Sequence, residues 1–344
     1  MPSYPVTLVF RDGEVARVEC RSFETVVQAA ARQRIGLLVD CREGGCGTCK
    51  ASLQSGRYSL DDYSQDALPD EELAEGRVLA CRMRPESPCV VEFDYPIEAV
   101  RRGAPAAPWA AKIISIEPQA SDVVAITIEA DDRKPFDFLP GQYANLQVAG
   151  TDIVRSYSFV NQPGETHATF LLRLIPGGAL SEWIRSQAKP GVALQVSGPF
   201  GRFFLRDPDK PMVFVAGGTG IGPIISILDQ MRTSRASPPS VKLVFGVNTL
   251  ASLFWRERLD ALIASFAGSE LVTAVMSPEG AWDGVAGTAV DGLMGLAIDP
   301  SSHVYLCGPP VMTEAAQKHL HTRGIAERAI FAEAFLPAVG AKAA

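Results

Sequence analysis

Four cysteines, Cys41, Cys46, Cys49 and Cys81, read C-x4-C-x2-C with 31 residues before the fourth, which is the plant-type spacing for a 2Fe-2S cluster. A fold that uses them must bend one loop and one distant residue around a single inorganic core. The loop itself is CREGGCGTCK, and its Gly44, Gly45 and Gly47 suit a chain that wraps closely and turns its backbone N–H groups toward sulfur. A structural zinc site or a disulfide staple is the competing reading, but zinc sites usually pair short C-x2-C knuckles. One-electron carriage is the expectation.

A chain of 344 residues is long enough for two or three domains, each with its own core. A hydrophobic share of 47% and a charged share of 21% are ordinary for a globular protein, and no apolar run reaches membrane length. The start, MPSYPVTLVFRDGEV, lacks the basic, apolar and small-residue segments of a signal peptide, so a cytoplasmic location is expected. With four of seven cysteines assigned to the cluster, Cys20, Cys89 and Cys307 are read as free thiols of a reducing compartment. A net charge of -7 argues against nucleic-acid binding. Residues 1–98 carry -6 of that charge, and the run Asp61, Asp62, Asp66, Asp70, Glu71, Glu72 and Glu75 either steers a basic partner or is a solvated helix and turn. The scattered His303, His319 and His321 are read as surface or packing residues.

Composition predicts two boundaries. The segment AVRRGAPAAPWA, around Val100 to Ala110, reads as a linker. Beyond it, KIISIEP, VVAITIEA, YANLQVAG, RSYSFVN, ATFLLRLI and VALQVSGPF are short alternating runs separated by turns, the pattern of a small antiparallel barrel. After the break RDPDK at 206–210, apolar strands alternate with helix-length segments, from PMVFVAGG to AIFAEAF, which predicts a doubly wound parallel sheet. The expected domains are therefore 1–99, 108–206 and 207–344.

The third domain opens with VFVAGGTGIGPIISIL. A buried strand runs into Gly217, Gly218, Thr219, Gly220, Gly222 and Pro223 and then a helix, an arrangement that lets backbone amides approach a pyrophosphate. The spacing is not G-x-G-x-x-G, so an ordinary dehydrogenase fits less well. Downstream, Cys307, Gly308, Pro309 and Pro310 fall where a later strand ends at the same edge of the sheet. A cysteine there is either a buried small hydrophobe or a site residue. In the barrel, Arg155, Ser156, Tyr157 and Ser158 form R-S-Y-S on a strand, with Arg155 and Tyr157 on one face and the serines on the other. A guanidinium suits a flavin pyrophosphate, a phenol ring stacks on an isoalloxazine, and a serine hydroxyl suits flavin N5; an ordinary exposed strand is the alternative.

Together the motifs CREGGCGTCK, RSYS, GGTGIGP, CGPP and a carboxyl-terminal E-x-F resemble, over essentially the whole chain, the ferredoxin-NADP reductase superfamily with an N-terminal plant-type ferredoxin domain. Among these proteins the segments SQDALPDEELAEGRVLACR, FGVNTLASLFW, YLCGPPVM and AEAFLP look most like the reductase component of soluble methane monooxygenase and related bacterial diiron monooxygenases. Benzoate-type dioxygenase reductases share the layout. The resemblance implies a multidomain α+β, all-β and α/β protein: a β-grasp 2Fe-2S ferredoxin, an antiparallel FAD-binding β-barrel and a doubly wound parallel-sheet NAD-binding domain. It also implies FAD held at Arg155, Ser156, Tyr157 and Ser158, with Arg173, Gly177, Gly178, Ala179, Leu180 and Ser181 near the pyrophosphate. Relatives often carry a basic residue in that turn, and Ala179 with Leu180 departs from the pattern. Phe335 is implied against the flavin ring, with Ser158, Cys307 and Glu333 along the hydride path.

Nicotinamide yields two electrons together and an iron-sulfur cluster accepts one, so a flavin between them splits the pair. The expected path runs from NADH to FAD to 2Fe-2S to an oxygenase hydroxylase component, favoured as diiron over a Rieske dioxygenase and docking at the acidic domain. The free chain is expected to be a monomer that touches neither nucleic acid nor membrane. Asn248, Thr249, Leu250 and Ala251 offer no cation for a 2'-phosphate, which points to NADH, although Arg256 and Arg258 lie a turn later. A cofactor-binding regulatory partner without turnover is the reading from a different class.

Overall fold

The computed structural model describes residues 2–102, 108–206, 209–234 and 239–335. The chain divides into two compact units, one of Met1–Ala107 with Asp137–Leu139 and Gly198–Arg202, the other of Pro108–Phe136, Pro140–Ser197 and Phe203–Ala344.

The first unit holds β1 (Ser3–Phe10), β2 (Val15–Arg21), α1 (Val26–Arg32), β3 (Lys50–Ser55), β4 (Tyr58–Leu60), α2 (Asp70–Ala74), β5 (Arg77–Leu79), β6 (Met83–Pro85), β7 (Cys89–Phe93) and α3 (Ile97–Arg102). Five strands form a mixed sheet in the order β2-β1-β7-β3-β5, with β1 and β7 parallel. Alternation along β1 sends Val6, Leu8 and Phe10 inward, and β7 adds Val91 and Phe93. Helix α1 buries Val26, Val27, Ala29 and Ala30 and begins with a Thr25–Gln28 capping box. Phe10, Phe93 and Tyr95 close the core with ring centroids 5.3–6.0 Å apart. This is the expected β-grasp arrangement. The expected linker begins inside α3, and its residues 103–107 lie outside the described residues.

In the second unit, apart from the last residues of β13, β8 (Trp109–Ala120), β9 (Val123–Ala130), β10 (Tyr143–Val148), β11 (Val154–Ser158), β12 (His167–Arg173) and β13 (Ala193–Phe200) form an antiparallel sheet, with α4 (Ala179–Ser186) between β12 and β13. Their order is β11-β10-β13-β8-β9-β12. A bridge from Phe159 to Phe170 joins the two ends and closes the barrel, and the same two rings meet at 5.1 Å. Every strand read from the sequence is present.

There follow β14 (Met212–Gly217), α5 (Ile221–Ser234), β15 (Val241–Val247), α6 (Arg256–Ala264), β16 (Glu270–Val275), β17 (Val285–Ala286), α7 (Ala289–Met294), β18 (His303–Gly308), α8 (Pro310–Thr322) and β19 (Ile330–Ala334). The sheet is parallel throughout, in the order β17-β16-β15-β14-β18-β19. Its β14 sends Phe214 and Ala216 toward α5 and α6, and Val213 and Val215 toward α7 and α8, so the sheet is covered on both faces as expected. Strand order reverses between β14 and β18, and the crevice at their carboxyl ends is where such sheets take ligands. The helix read as starting at Gly222 begins at Ile221, after a 3-10 turn at Gly218–Gly220. No described helix is long and apolar enough to cross a membrane.

Tyr305, fully buried on β18, stacks on Phe214 at 5.2 Å, and its hydroxyl accepts the Arg206 N–H at 2.9 Å. Tyr305→Phe keeps the ring and removes a buried acceptor. It should destabilise the second unit by about 1–3 kcal/mol, read as a lowered urea midpoint without loss of bound flavin.

Candidate functional site

The cysteine loop follows α1 and ends at β3, so its last residues are anchored by the sheet. Arg42, Gly44 and Gly47 have φ of 60°, 75° and 70°, the left-handed turns that curl the loop. A Cβ at Gly44 would lie 2.8 Å from Tyr63 Cβ, so that glycine answers to space as well as to backbone shape. The N–H groups of Glu43 and Gly45 donate to Cys41 Sγ at 3.4 and 3.3 Å, and Cys81 N–H donates to Cys49 Sγ at 3.4 Å. Amides aimed at sulfur are what a thiolate-held cluster needs, since they disperse its negative charge.

The four thiols fall into two pairs, Cys41 hydrogen-bonded to Cys46 and Cys49 to Cys81. Among the described residues no three His, Cys, Asp or Glu side chains gather as a site for one ion would require. Two pairs suit a two-iron cluster, in which each iron takes two thiolates. The hydrogen bond from Cys49, more than any other influence, holds the Cys81 thiol below its ordinary value. Cys49 and Cys81 are buried, whereas Cys41 and Cys46 are partly exposed.

Around this loop, Lys50 pairs with Glu72 and Arg84 with Asp61, both at 2.7 Å. The acidic run thus keeps Asp62, Asp66, Asp70, Glu71 and Glu75 at the surface, partly on α2, with Asp61 and Glu72 neutralised.

In the barrel, β11 lies against β10 in regular register, with Tyr157 opposite Ala144 and Ser158 opposite Tyr143. The two serines occupy the same side of the strand but different surroundings. Ser158 is buried, while Ser156 is exposed and donates to Asn145 Oδ1 at 2.6 Å. Burial pushes the Tyr157 phenol up, so it stays neutral. Arg173 is half-exposed and held by Asp122 at 3.0 Å. Gly177 turns the chain at φ 69°, Gly178 precedes α4 without a side-chain cap, and Ser181 Oγ accepts the Ile175 N–H at 2.8 Å. The first bond within α4 runs from Glu182 N–H to the Gly178 carbonyl, so the amides of Ala179, Leu180 and Ser181 have no acceptor inside the helix. Open amides at the start of a helix are able to meet a phosphate without a basic side chain.

At the carboxyl edge of the parallel sheet the glycines divide by purpose. A Cβ at Gly220 would stand 2.2 Å from the Cys307 carbonyl oxygen, and one at Gly217 would stand 2.8 Å from Met312 Sδ. Gly220 is a glycine because two backbones pack there, and Gly217 because the side chains of Met312 and Pro309 fill the space. Gly218, at φ 55°, faces open space and is the position free to approach a ligand. Gly222 sits against Val160 of the barrel. Cys307 is fully buried, and its thiol is pushed well up by burial and by nearby Glu333, its register partner on β19. Ser158 Oγ donates to Glu333 Oε2 at 3.5 Å, and Phe335 N–H donates to the Gly308 carbonyl at 2.9 Å. Ser158, Cys307, Glu333 and Phe335, which lie far apart in sequence, therefore meet at one edge, with Phe335 37% exposed. Sequence reading had no signal for two further supports, the Trp255 Nε1–H bond to Gln119 Oε1 at 2.6 Å and the Gln162 bond to the Ser226 carbonyl at 2.8 Å. Both join the barrel to the parallel sheet.

A family model described as a 2Fe-2S iron-sulfur cluster binding domain matches residues 9–86, an oxidoreductase FAD-binding domain matches 110–205, and an oxidoreductase NAD-binding domain matches 214–318. The toluate 1,2-dioxygenase electron transfer component of Pseudomonas putida is 34% identical over 340 residues, which is 97% of this chain and 98% of that one. The chain belongs to the family of iron-sulfur flavoprotein reductase components of oxygenases. Methane monooxygenase component C of Methylosinus trichosporium is 34% identical over 84% of this reductase and 85% of its own length. The solved structure of an Amycolatopsis cytochrome P450 reductase superposes with a TM-score of 0.74 at 28% identity, covering 97% of this chain and 99% of that one. This reductase is thus an oxidoreductase with 2Fe-2S, FAD and NAD domains, and the reading as a partner without turnover is set aside.

Gly220→Ala forces the β14 turn away from Cys307. Because a shift near 1 Å at a reacting centre costs about 100-fold, kcat/KM for NADH should fall on that scale while the cluster absorbance stays unchanged.

Proposed function

We propose that the chain oxidises NADH and passes electrons singly through its own cluster to the oxygenase component of a multicomponent system. The supporting observation is the meeting of Ser158 from the barrel with Glu333, beside Cys307, at the carboxyl edge of the nucleotide sheet. When bound, FAD accepts the hydride pair and the cluster carries single electrons. The protein supplies geometry. In this reading the domains are 1–99, 108–206 and 207–344. Cys41, Cys46, Cys49 and Cys81 hold the cluster. Arg155, Ser156, Tyr157 and Ser158, with Arg173 and the turn Gly177, Gly178, Leu180 and Ser181, hold FAD. Gly217, Gly218, Thr219, Gly220, Gly222 and Pro223, with Cys307, Gly308, Pro309 and Pro310, hold NADH. Ser158 and Glu333 orient the reacting edge, while neutral Cys307 keeps it dry. Phe335 covers the place that nicotinamide takes.

For the acceptor, toluate, 2-halobenzoate and anthranilate 1,2-dioxygenase relatives align along 97–99% of the chain at 34–35% identity. That end-to-end likeness favours an aromatic-acid dioxygenase. The second reading, a diiron monooxygenase, rests on methane and propane monooxygenase relatives at 31–34% identity over 84–92%. In either case the exposed acidic run beside the cluster is the docking surface, and the chain acts as a cytoplasmic monomer.

Reconstitution with a purified oxygenase of each type tests the acceptor. The dioxygenase should support NADH-coupled product formation with the steep salt dependence of a charge-matched pair, and turnover with only the diiron enzyme would reverse the choice. Cys41→Ser should keep NADH-driven ferricyanide reduction and lose transfer to either oxygenase; loss of both activities would contradict the proposed order of carriers.

A further inference from the structure

Resting on the reading of NADH as donor, we infer that the ion pair between Arg256 and Asp283 is what rejects the 2'-phosphate of NADPH. The chain that follows β15 reads NTLASLFWRER and holds two cations, Arg256 and Arg258. Each is engaged by other groups. Arg258 stacks over Trp255 at 4.3 Å, and burial lowers its pKa, with Asp229 acting the other way. Those contacts direct it toward α5. Arg256, the first residue of α6, stands at the carboxyl edge of the sheet, where dinucleotides bind. Its Nη2 lies 2.9 Å from Asp283 Oδ2, and its guanidinium lies 5.2 Å from the centroid of Trp282.

The loop that carries Asp283 borders the same place. Ser277 N–H donates to the Asn248 carbonyl at 2.9 Å, so one end of residues 276–284 is fastened to the turn expected to meet the adenosine ribose. The other end is fastened to Arg256 through Asp283. A 2'-phosphate entering beside Asn248 and Thr249 would meet a carboxylate and a cation already satisfied. A ribose hydroxyl carries no charge and meets neither penalty. The pair is largely exposed, at 45% for Arg256 and 72% for Asp283, and pairs of that kind contribute little to stability. Trp282, hydrogen-bonded to the Val285 carbonyl at 3.0 Å, keeps the guanidinium from swinging toward the ribose. The arrangement is better suited to discriminating between ligands than to holding the fold.

Calorimetric titration of the FAD- and cluster-loaded protein with NAD+, NADP+ and 2',5'-ADP tests this, alongside steady-state rates with both reduced nucleotides. Asp283→Asn removes the carboxylate and frees Arg256. It should tighten NADP+ and 2',5'-ADP binding at least about fivefold, with NAD+ binding and melting temperature unchanged. Asp283→Ser should behave alike, and adding Arg256→Ala to Asp283→Asn should cancel the gain. A wild-type preference for NAD+ with an unaltered NADP+ to NAD+ ratio in Asp283→Asn would overturn the role of the pair alone. Equal affinity of the wild-type protein for both nucleotides would overturn the NADH reading and this inference with it.

Discussion

The carboxyl edge of the nucleotide sheet depends on one close approach of backbones. The turn after β14 lies so near the end of β18 that a methyl group at Gly220 would overlap the Cys307 carbonyl. That contact sets where Gly308, Pro309 and Pro310 run, and the Gly308 carbonyl in turn holds the Phe335 N–H. Glu333, two residues before Phe335, is thereby presented to Ser158 of the barrel. A cysteine suits the centre of this arrangement because a small thiol fills the space without a charge of its own; burial keeps Cys307 protonated. The nucleotide sheet and the flavin barrel are brought together by packing first and by polar contacts second.

The cluster loop uses the same economy in the other unit. Left-handed turns at Arg42, Gly44 and Gly47 leave amides pointing at sulfur, and Cys49, in the turn just before β3, and nearby Cys81 are buried while Cys41 and Cys46 remain partly open. An electron carrier needs both conditions: a desolvated side that fixes the cluster and an accessible side through which an electron leaves. The pairing of Asp61 with Arg84 and Glu72 with Lys50 leaves a surface that is still acidic but not uniformly so.

Much of this was legible in the chain because it rests on local patterns. The cysteine spacing, the alternation that made six barrel strands, and the glycine-rich turn after an apolar strand all name their structures through neighbours in sequence. Cys307 was placed at the right sheet edge by its strand-end position, but its pairing with Glu333 was reachable only through resemblance, since no local rule brings β18 beside β19. The two serines of RSYS shared a strand face as alternation required, yet burial separated them, because Asn145 offered Ser156 a partner at the surface. The short β17, the Trp255 bond to Gln119 and the pairing of Arg256 with Asp283 left no sequence signal. Each joins residues through tertiary contacts that no periodicity encodes. The departure at Ala179 and Leu180 also has a physical answer in the open amides at the head of α4, which need no side chain to meet a phosphate.

The most direct test of the account is the visible spectrum of the anaerobically purified protein before and after one equivalent of NADH. The account predicts flavin and iron-sulfur bands that bleach together, because both carriers lie on one internal path. Flavin bleaching with no cluster signal, in protein supplied with iron and sulfide, would contradict it and leave a flavin reductase without its one-electron outlet.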